Sequence, residues 1–298
     1  MSALQPNIVR TGKPSRTAHA VAMLRAVHQL LDDPIVLPDP AALPILGATA
    51  QAALRDDPFG LNDPIARGLR AAVVARSRFV EDELSRCMAS GVRQYVLLGA
   101  GLDTFACRSA YVGAGLQVFE LDHRGTQRWK QQLLVEADIC TPPSVTFAPM
   151  DFERDNLHET LALAGFRADL PACVSWMGVT AYLTSEAVMR TLGTLAGLAA
   201  GSRVCFDYRV PATVLGTVDR AVDEFLGRQA ANAGEPWLST FDPEQLQRQS
   251  LDLGFATATS VTPDELNARY FARRKDGLRV GGSFRLMLAS TGRREASP

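Results

Sequence analysis

The feature that most constrains the fold is an alternation of short β-branched runs and helical stretches that begins at Gln94. Five runs are typical of strands, and a helical stretch follows each of the first four; the runs are 94–98, 116–121, 144–149, 172–176 and 202–207. Strands joined through helices pair in parallel and are covered on both faces. The sequence therefore predicts a doubly wound α/β core.

Helical patterns flank this core. Ser15 is predicted to cap a helix over 16–31, and Pro64 stands in the first turn of a second helix over 62–88. Two further strands, at 254–261 and 283–290, are predicted to complete a mostly parallel sheet of seven strands, the last of them as an antiparallel edge.

These patterns predict a flexible arm followed by one domain. The predicted segments are the arm (1–14), the domain (15–298) and, inside it, a helical N-terminal segment (15–90), a cofactor-binding core (91–209), a helical cap insertion (210–245) and the completion of the sheet (246–298).

Charge and cysteine usage exclude several classes of partner. Lys plus Arg number 31 against 32 for Asp plus Glu, so no net field attracts nucleic acid or an anionic membrane. No apolar run is long enough to span a membrane. The five cysteines form no CxxC or Cys/His spacing, which argues against disulfides and against a metal site. We expect a cytoplasmic protein with a small-molecule partner; the sequence carries no signal for its oligomeric state.

The loop after the first strand, GAGLDT, predicts the class of ligand. Gly99 and Gly101 permit close approach to the backbone. Thr104 stands where a dinucleotide fingerprint has its third glycine, and Asp103 would repel a pyrophosphate at the helix start. This opposes a nicotinamide-dependent oxidoreductase and favours a nucleoside with a cationic tail. S-adenosylmethionine, with its sulfonium and amine, fits.

Acids recur at the ends of the following strands. Asp122 lies near the roughly 20-residue offset at which an acid accepts the ribose hydroxyls of a nucleotide. Asp151 and Phe152 end the third strand, where a carboxylate can accept from the adenine amine and an aromatic ring can cover the base. The alternatives are helix N-caps for both acids and a core position for Phe152.

Several motifs of the chain, taken together, resemble those of a known family. GAGLDT, ELD, MDF, WMGVTAYLT and the upstream ARSRF together resemble the leucine carboxyl methyltransferase-like (protein phosphatase methyltransferase) family of class I S-adenosylmethionine-dependent methyltransferases. The likeness is greatest to its bacterial branch, associated with O-methylation of polyketides and other secondary metabolites. It covers nearly the whole chain from about Pro14. It implies a Rossmann-like seven-stranded sheet with a helical cap over the substrate.

The resemblance also implies the residues that bind the cofactor. Arg78 would bind the carboxylate of its methionyl group, an assignment for which a solvated helix charge is the alternative. The other positions implied or argued for the cofactor are Arg16, Gly99, Ala100, Gly101, Asp103, Asp122, Asp151, Phe152 and Met177.

Met177 departs from the family pattern, which has a glutamate there. One interpretation is neutral drift in a working enzyme. The alternative is a cofactor-binding protein that has lost methyl transfer, either a pseudoenzyme or a repurposed cyclase-like catalyst.

The acceptor chemistry is argued from the bases that the chain offers. An ionised carboxylate needs no base, whereas a phenol with a pKa near 10 usually does. Neither His19 nor His123 is a convincing base. The expected activity is therefore O-methylation of a carboxylate, or else a phenol, of a secondary metabolite. Tyr182 and Tyr208 follow the fourth and fifth strands and are candidates for positioning the substrate oxygen. Four cap residues are candidates for an apolar substrate wall, with packing of the cap onto the sheet as the alternative: Phe225, Leu226, Trp237 and Phe241.

Overall fold

The computed structural model describes residues 15–109 and 111–292; the arm predicted over 1–14 lies outside this range. Seven strands form one sheet in the order β3-β2-β1-β4-β5-β7-β6. The strands are β1 (Gln94–Leu98), β2 (Gln117–Asp122), β3 (Val145–Pro149), β4 (Cys173–Trp176), β5 (Arg203–Arg209), β6 (Thr257–Val261) and β7 (Phe284–Ser290). The first five pair in parallel, which confirms the predicted doubly wound, Rossmann-like α/β class.

The position of the last strand was predicted wrongly. β7 is antiparallel, but it pairs with both β5 and β6 and so lies inside the sheet, and β6 forms the edge. Burial explains the difference. β7 buries Leu286, Met287 and Ala289, whereas β6 has exposed threonines at Thr257 and Thr259. The more apolar strand takes the interior position, where both of its backbone edges are paired, and the strand with exposed polar side chains forms the edge.

Ten α-helices surround the sheet in the described residues: α1 (Arg16–Leu31), α2 (Ala48–Asp56), α3 (Pro64–Ala89), α4 (Phe105–Arg108), α5 (Arg124–Glu136), α6 (Leu157–Leu163), α7 (Ser185–Ala196), α8 (Thr217–Asn232), α9 (Pro243–Leu253) and α10 (Pro263–Tyr270). The predicted cap of α1 is present, since the Ser15 Oγ accepts from the Ala18 N–H at 3.0 Å. Pro64 is the first residue of α3, after Asp63 as N-cap. None of the described helices is both long and apolar enough to cross a membrane.

Two apolar layers cover the sheet. On one face, α6, α7 and α9 pack against the strands; on the other, α3 and α10 do so. α1 belongs to a third cluster with α5 and the segment 42–46. α1 therefore lies outside the sheet layers, near the carboxyl ends of the strands.

Buried ion pairs fix α1 over this edge. Arg25 pairs with Asp39 at 2.8 Å and donates to the Leu102 carbonyl at 2.6 Å, directly beside the glycine loop. Farther along the helix, Asp32 accepts from His28 at 2.7 Å and from Arg70 of α3 at 2.8 Å. Because breaking a buried pair leaves an unpaired charge, these contacts hold the helix in one position.

Candidate functional site

A cavity of about 560 Å³ lies at the carboxyl ends of the parallel strands, beneath α1. Its wall includes the loops after β1 to β4, Asp207 of β5, one side of α3, and the predicted cap segment with part of β7. This is where an open parallel sheet binds its ligands, and the volume suits a cofactor-sized molecule. Most of the residues predicted from the strand ends lie on this wall.

The glycine loop is shaped by contacts with the protein itself. Gly99 has φ +72°, and a Cβ there would lie 2.1 Å from Val179 Cγ2, a contact no side chain can make. Gly101 has φ +51°, and its Cβ would lie 3.3 Å from the Ala18 Cβ of α1. Both positions require glycine because of the left-handed backbone and this packing. Ala100 also lies on the wall, and its N–H donates to the Leu121 carbonyl at 3.1 Å.

Asp122 is tied to this loop. Its Oδ2 accepts from the Gly101 N–H and its Oδ1 from the His123 N–H, both at 2.6 Å. Burial raises the pKa of Asp122, and the two hydrogen bonds to its charged form oppose this shift. Asp122 does not cap α5, because His123 takes that position. An ionised carboxylate has about four lone-pair directions, so Asp122 can still accept from two ligand hydroxyls.

Asp103 and Thr104 end the loop differently from a phosphate-binding turn. The Asp103 Oδ1 accepts from the Phe105 N–H at 2.7 Å and closes the turn before α4. Thr104 is buried and donates to Asp39 Oδ2 at 2.6 Å, below α1. The helix that follows has four residues, so it supplies little dipole for an anion.

Asp151 and Phe152 lie on the wall after β3. Asp151 does not cap a helix, because α6 begins only at Leu157 and is capped by Asn156; Asp151 instead accepts from the Glu153 N–H at 3.0 Å. Phe152 is buried against Trp176, with ring centroids 6.3 Å apart, and also borders the cavity. The core and ligand interpretations of Phe152 are therefore compatible.

The structure does not bring Arg78 to the cavity. Arg78 pairs with Asp82 at 2.8 Å and donates to the Val36 carbonyl at 3.2 Å. Arg76 of the same motif is on the wall instead. Residues i and i+2 of an α-helix point about 200° apart around its axis, so the two arginines leave α3 on opposite sides. ARSRF contains both, and the structure places Arg76, not Arg78, on the cavity wall.

Arg76 pairs with Asp207, an acid for which the sequence predicted no role. The Arg76 Nη1 donates to Asp207 Oδ2 at 2.7 Å, and the Gly178 N–H donates to Oδ1 at 2.7 Å. Burial raises the pKa of Asp207, and the charge of Arg76 opposes the shift. Gly178 has φ +73°, and a Cβ there would lie 2.7 Å from Arg76 Nη2. Met177, beside it, also borders the cavity.

The two candidate tyrosines lie in different surroundings, Tyr182 in the turn after β4 and Tyr208 within β5. Tyr182 borders the cavity, and burial raises its pKa. Tyr208 does not border it, because its hydroxyl is hydrogen bonded to Ser260 Oγ at 2.7 Å and its ring packs beside Phe206. Successive residues of a strand point to opposite faces, so with Asp207 directed toward Arg76, Tyr208 must point away.

The N-terminal helix is joined to the predicted cap by Glu235. Its carboxylate, which is buried, accepts from the Arg16 N–H at 2.7 Å, the Thr17 N–H at 3.2 Å and the Ser15 hydroxyl at 3.0 Å. Arg16 borders the cavity and its side chain is exposed. Glu235 was not predicted as a site residue, because only the tertiary structure brings residue 235 to residue 16. Of the four candidate cap residues, Trp237 and Leu226 lie on the wall, whereas Phe225 and Phe241 do not.

The site contains no arrangement suited to a metal ion. Among residues 15–109 and 111–292, no group of three or more His, Cys, Asp or Glu side chains could hold one. All five cysteines are free; Cys140 is exposed and Cys87, Cys173 and Cys205 are buried.

Comparison with known proteins agrees with the fold and with the sequence motifs. The leucine carboxyl methyltransferase family matches residues 18–196. A putative S-adenosyl-L-methionine-dependent methyltransferase of Bacillus subtilis, YktD, is 30% identical over 293 residues, covering 91% of this chain and 95% of YktD. A protein of the same description from Frankia alni, FRAAL3718, is 34% identical over 75% of this chain and 76% of its own.

Solved structures share the fold at lower identity. The crystal structure of a putative methyltransferase from Thermobifida fusca covers 98% of this chain and 100% of its own with a TM-score of 0.56 and 20% identity. A DUF574 family protein from Streptomyces avermitilis covers 93% of this chain and 98% of its own with a TM-score of 0.53 and 13% identity. Because the family match covers more than half of the chain and YktD matches it over nearly its whole length, the chain belongs to the leucine carboxyl methyltransferase family.

Proposed function

We propose that this S-adenosylmethionine-dependent methyltransferase transfers a methyl group to an oxygen of a small molecule, a carboxylate in preference to a phenol, and that its acceptor is a secondary metabolite such as a polyketide. The observation that carries the proposal is the grouping of Asp122, Phe152 and the Arg76–Asp207 pair around one cavity at the strand ends. These groups match a nucleoside that ends in an amino acid.

The residues present fit S-adenosylmethionine. Asp122 has two lone pairs left for the ribose hydroxyls, and Phe152 with Asp151 borders the cavity where the adenine would lie. Arg76 is the cation for the α-carboxylate, held in place by Asp207. Asp103 adds negative charge at the mouth of the loop, which suits an ammonium or sulfonium and opposes a phosphate.

When bound, S-adenosylmethionine supplies a methyl group on a positively charged sulfur, already activated for transfer to a nucleophile. The chain's own contribution is to bind the acceptor in line, to exclude water and to orient the reacting oxygen. The roof formed by α1 and the wall from the predicted cap enclose the cavity for this purpose.

A carboxylate acceptor is favoured because neither His123 nor His19 is placed to act as a base. The Nδ1 of His123 accepts from the Gly125 N–H as the cap of α5. His19 is absent from the described wall and packs on Trp129, and burial lowers its pKa. A carboxylate is ionised at neutral pH and needs no proton acceptor.

Binding and turnover test the proposal separately. Calorimetry should detect S-adenosylmethionine and S-adenosylhomocysteine but not NAD, and methyl transfer should be measured on paired acids and phenols. If neither adenosyl compound binds, the proposal is wrong. Turnover of phenols, with none of acids, would overturn the preference for a carboxylate.

Met177 supports a second candidate, a family member that binds the cofactor without transferring methyl. The family glutamate is missing at this position on the wall. Against this, Asp207 supplies a carboxylate at Arg76 from the neighbouring strand. Methyl transfer that appears only in Met177→Glu, with the native chain binding the cofactor normally, would favour the second candidate.

A further inference from the structure

The cavity extends beyond the residues assigned to the cofactor. Gly99, Asp122 and Asp151 follow β1, β2 and β3, which form one half of the sheet. Other wall residues belong to β7, which lies three strands from β1 in the opposite half. Because neighbouring strands are about 4.8 Å apart, β7 lies roughly 14 Å from β1. The cavity therefore continues over the half of the sheet that the cofactor residues leave free.

This part of the cavity, which we call the apolar arm, is defined by six wall residues. Two come from each of three elements, α3, α8 and β7: Leu69, Val73, Leu226, Ala230, Phe284 and Leu286. Residues four apart share a side of a helix, and residues two apart share a side of a strand, so each pair lies on one face of its element. Three separate elements thus present apolar faces to one space.

Packed apolar clusters border the arm on two further sides. Leu266 of α10 and Val280 line the cavity and are buried with Leu286 in the cluster between α3 and the sheet. Leu24 of α1 also lines the cavity and packs with Val73 in a small separate cluster. An apolar group placed in the arm is therefore removed from water on several sides, which favours its binding.

The cap segment beside the arm is fixed to the rest of the protein. The Leu238 N–H donates to the Ala181 carbonyl at 2.6 Å. The indole of Trp237 is hydrogen bonded to the Tyr182 hydroxyl and packs edge-on against the Phe284 ring, with the ring centroids 5.7 Å apart. Because these contacts form without an acceptor, the arm has a definite width before an acceptor enters.

The charges of the wall do not restrict the number of charges on the acceptor. Arg76, where the arm begins on α3, is paired with Asp207. Arg16 and Arg285 also border the cavity and form no ion pair within the described residues. The wall can therefore meet anionic groups, and the arm sets the shape and the apolar character of the acceptor's body.

Helix geometry gives the arm a length. Leu69 and Arg76 are seven residues apart on α3, and a helix rises about 1.5 Å per residue, so the arm runs about 10 Å along α3 from this cation. Ala72 lies on the same side of α3, borders the cavity and is half-buried. Its methyl group leaves space in the arm that a larger side chain would fill.

We propose that the apolar arm binds the body of the methyl acceptor, that this body is an elongated apolar group of the length of a medium acyl chain, and that Ala72 limits how much of it fits. This rests on the proposed function, because the acceptor has to reach the cofactor in the same cavity. The reacting oxygen then lies at the end of the arm near Arg76, and the apolar body points along α3 away from the cofactor.

A series of straight-chain acids tests the arm. Butanoate, hexanoate, octanoate and dodecanoate are titrated by calorimetry into protein saturated with S-adenosylhomocysteine. Each added methylene should strengthen binding about threefold to fourfold up to octanoate, and further methylenes should add little once the arm is filled. The heat capacity change of binding should become more negative over the same range.

Matched alanine-to-phenylalanine variants test the location. Ala72→Phe narrows the cavity from α3, and Ala233→Phe narrows it from the end of α8. Each should weaken octanoate about tenfold, the contribution of about two methylenes, and butanoate less than about twofold. The controls are Ala89→Phe and Ala231→Phe, at exposed positions of the same two helices that do not line the cavity.

Binding of S-adenosylhomocysteine separates the possible results. If it binds but the affinity for the acids does not rise with chain length, the assignment of the arm is wrong and the proposed function stands. The same conclusion follows if both narrowed variants bind octanoate as well as the native chain does. A narrowed variant that no longer binds S-adenosylhomocysteine is misfolded, and the chain-length series on the native protein then decides. If the native protein does not bind S-adenosylhomocysteine, both proposals are wrong.

Discussion

Replacing Gly99 by alanine should destabilise the protein more than a left-handed backbone alone explains. Gly99 has φ +72°, and a Cβ there would lie 2.1 Å from the Val179 side chain. A residue with a Cβ costs roughly 1–2 kcal/mol in the left-handed region, and overpacking a filled site costs about 1–3 kcal/mol more. We therefore expect Gly99→Ala to lower the free energy of unfolding by about 2–5 kcal/mol.

Gly91 supplies the matched control. It has φ +90°, but a Cβ there would meet nothing within 4 Å. Gly91→Ala should therefore show the backbone cost alone, about 1–2 kcal/mol. Equilibrium unfolding in urea, with similar m-values for all variants, measures the difference.

A double-mutant cycle with Val179→Ala separates the clash from the backbone strain. Truncating Val179 leaves its Cβ, which lies 3.4 Å from the position of a new Cβ at residue 99, an ordinary contact. The double variant should thus recover about 1–3 kcal/mol relative to additivity. If Gly99→Ala costs no more than Gly91→Ala, or if the cycle shows no coupling, the steric argument for this loop is refuted.

Three further predictions concern the site and the thiols. Arg76→Lys should weaken S-adenosylhomocysteine binding about tenfold in calorimetry, because a lysine cannot bind Asp207 and the ligand carboxylate at once as an arginine can. The control, Arg78→Lys, should change the affinity less than twofold. Equal effects of the two substitutions would contradict the assignment of Arg76. Burial raises the pKa of Asp122, and protonation removes acceptor lone pairs, so the affinity for S-adenosylhomocysteine should fall as the pH is lowered below neutrality, beginning at a higher pH than a free aspartate would give, and Asp122→Asn should bind weakly with a flat profile. A thiol reagent at pH 7.5 should label one cysteine rapidly in the folded protein, Cys140, since burial raises the pKa of Cys107 to about 11; rapid labelling that survives Cys140→Ser would contradict this.

The fold was predictable because its signal is local. Alternating strands and helices specify a parallel doubly wound sheet, and the predicted strands match the observed ones to within two residues at most ends. The place of β7 was not predictable from local pattern, because it depends on which of two late strands is better covered by the whole molecule. Hydrophobicity carried a hint, since β7 buries three apolar residues and β6 has exposed threonines.

A local pattern predicts where a residue lies along its element more readily than the side to which its side chain points. Residues that directly follow a parallel strand reach the ligand edge whatever the side-chain orientation, so Gly99, Gly101 and Asp122 lie on the cavity wall. Arg78 and Tyr208 do not border the cavity, because each leaves its own element on the side that faces away from it. The alternation in VCFDYR could have separated Asp207 from Tyr208, because neighbouring strand residues cannot share a face.

Glu235 and the Arg76–Asp207 pair lay beyond this reasoning for a different reason. Each depends on contacts between distant segments, such as residue 235 with residue 16 and residue 76 with residue 207. An acid in the cap segment or an arginine on a helix has no distinctive local pattern. The tertiary structure is what gives these residues a role.

The Glu235 carboxylate has a thermodynamic consequence. It belongs to the segment that carries Trp237, and it holds the first turn of the helix that roofs the glycine loop. A ligand that stabilises either the start of α1 or the segment around Glu235 also stabilises the other through these hydrogen bonds. The coupling free energy between two ligands bound at the two segments must be the same in both directions. Cofactor and acceptor should therefore bind with positive cooperativity, and Glu235→Gln should reduce the factor by which each raises the affinity for the other.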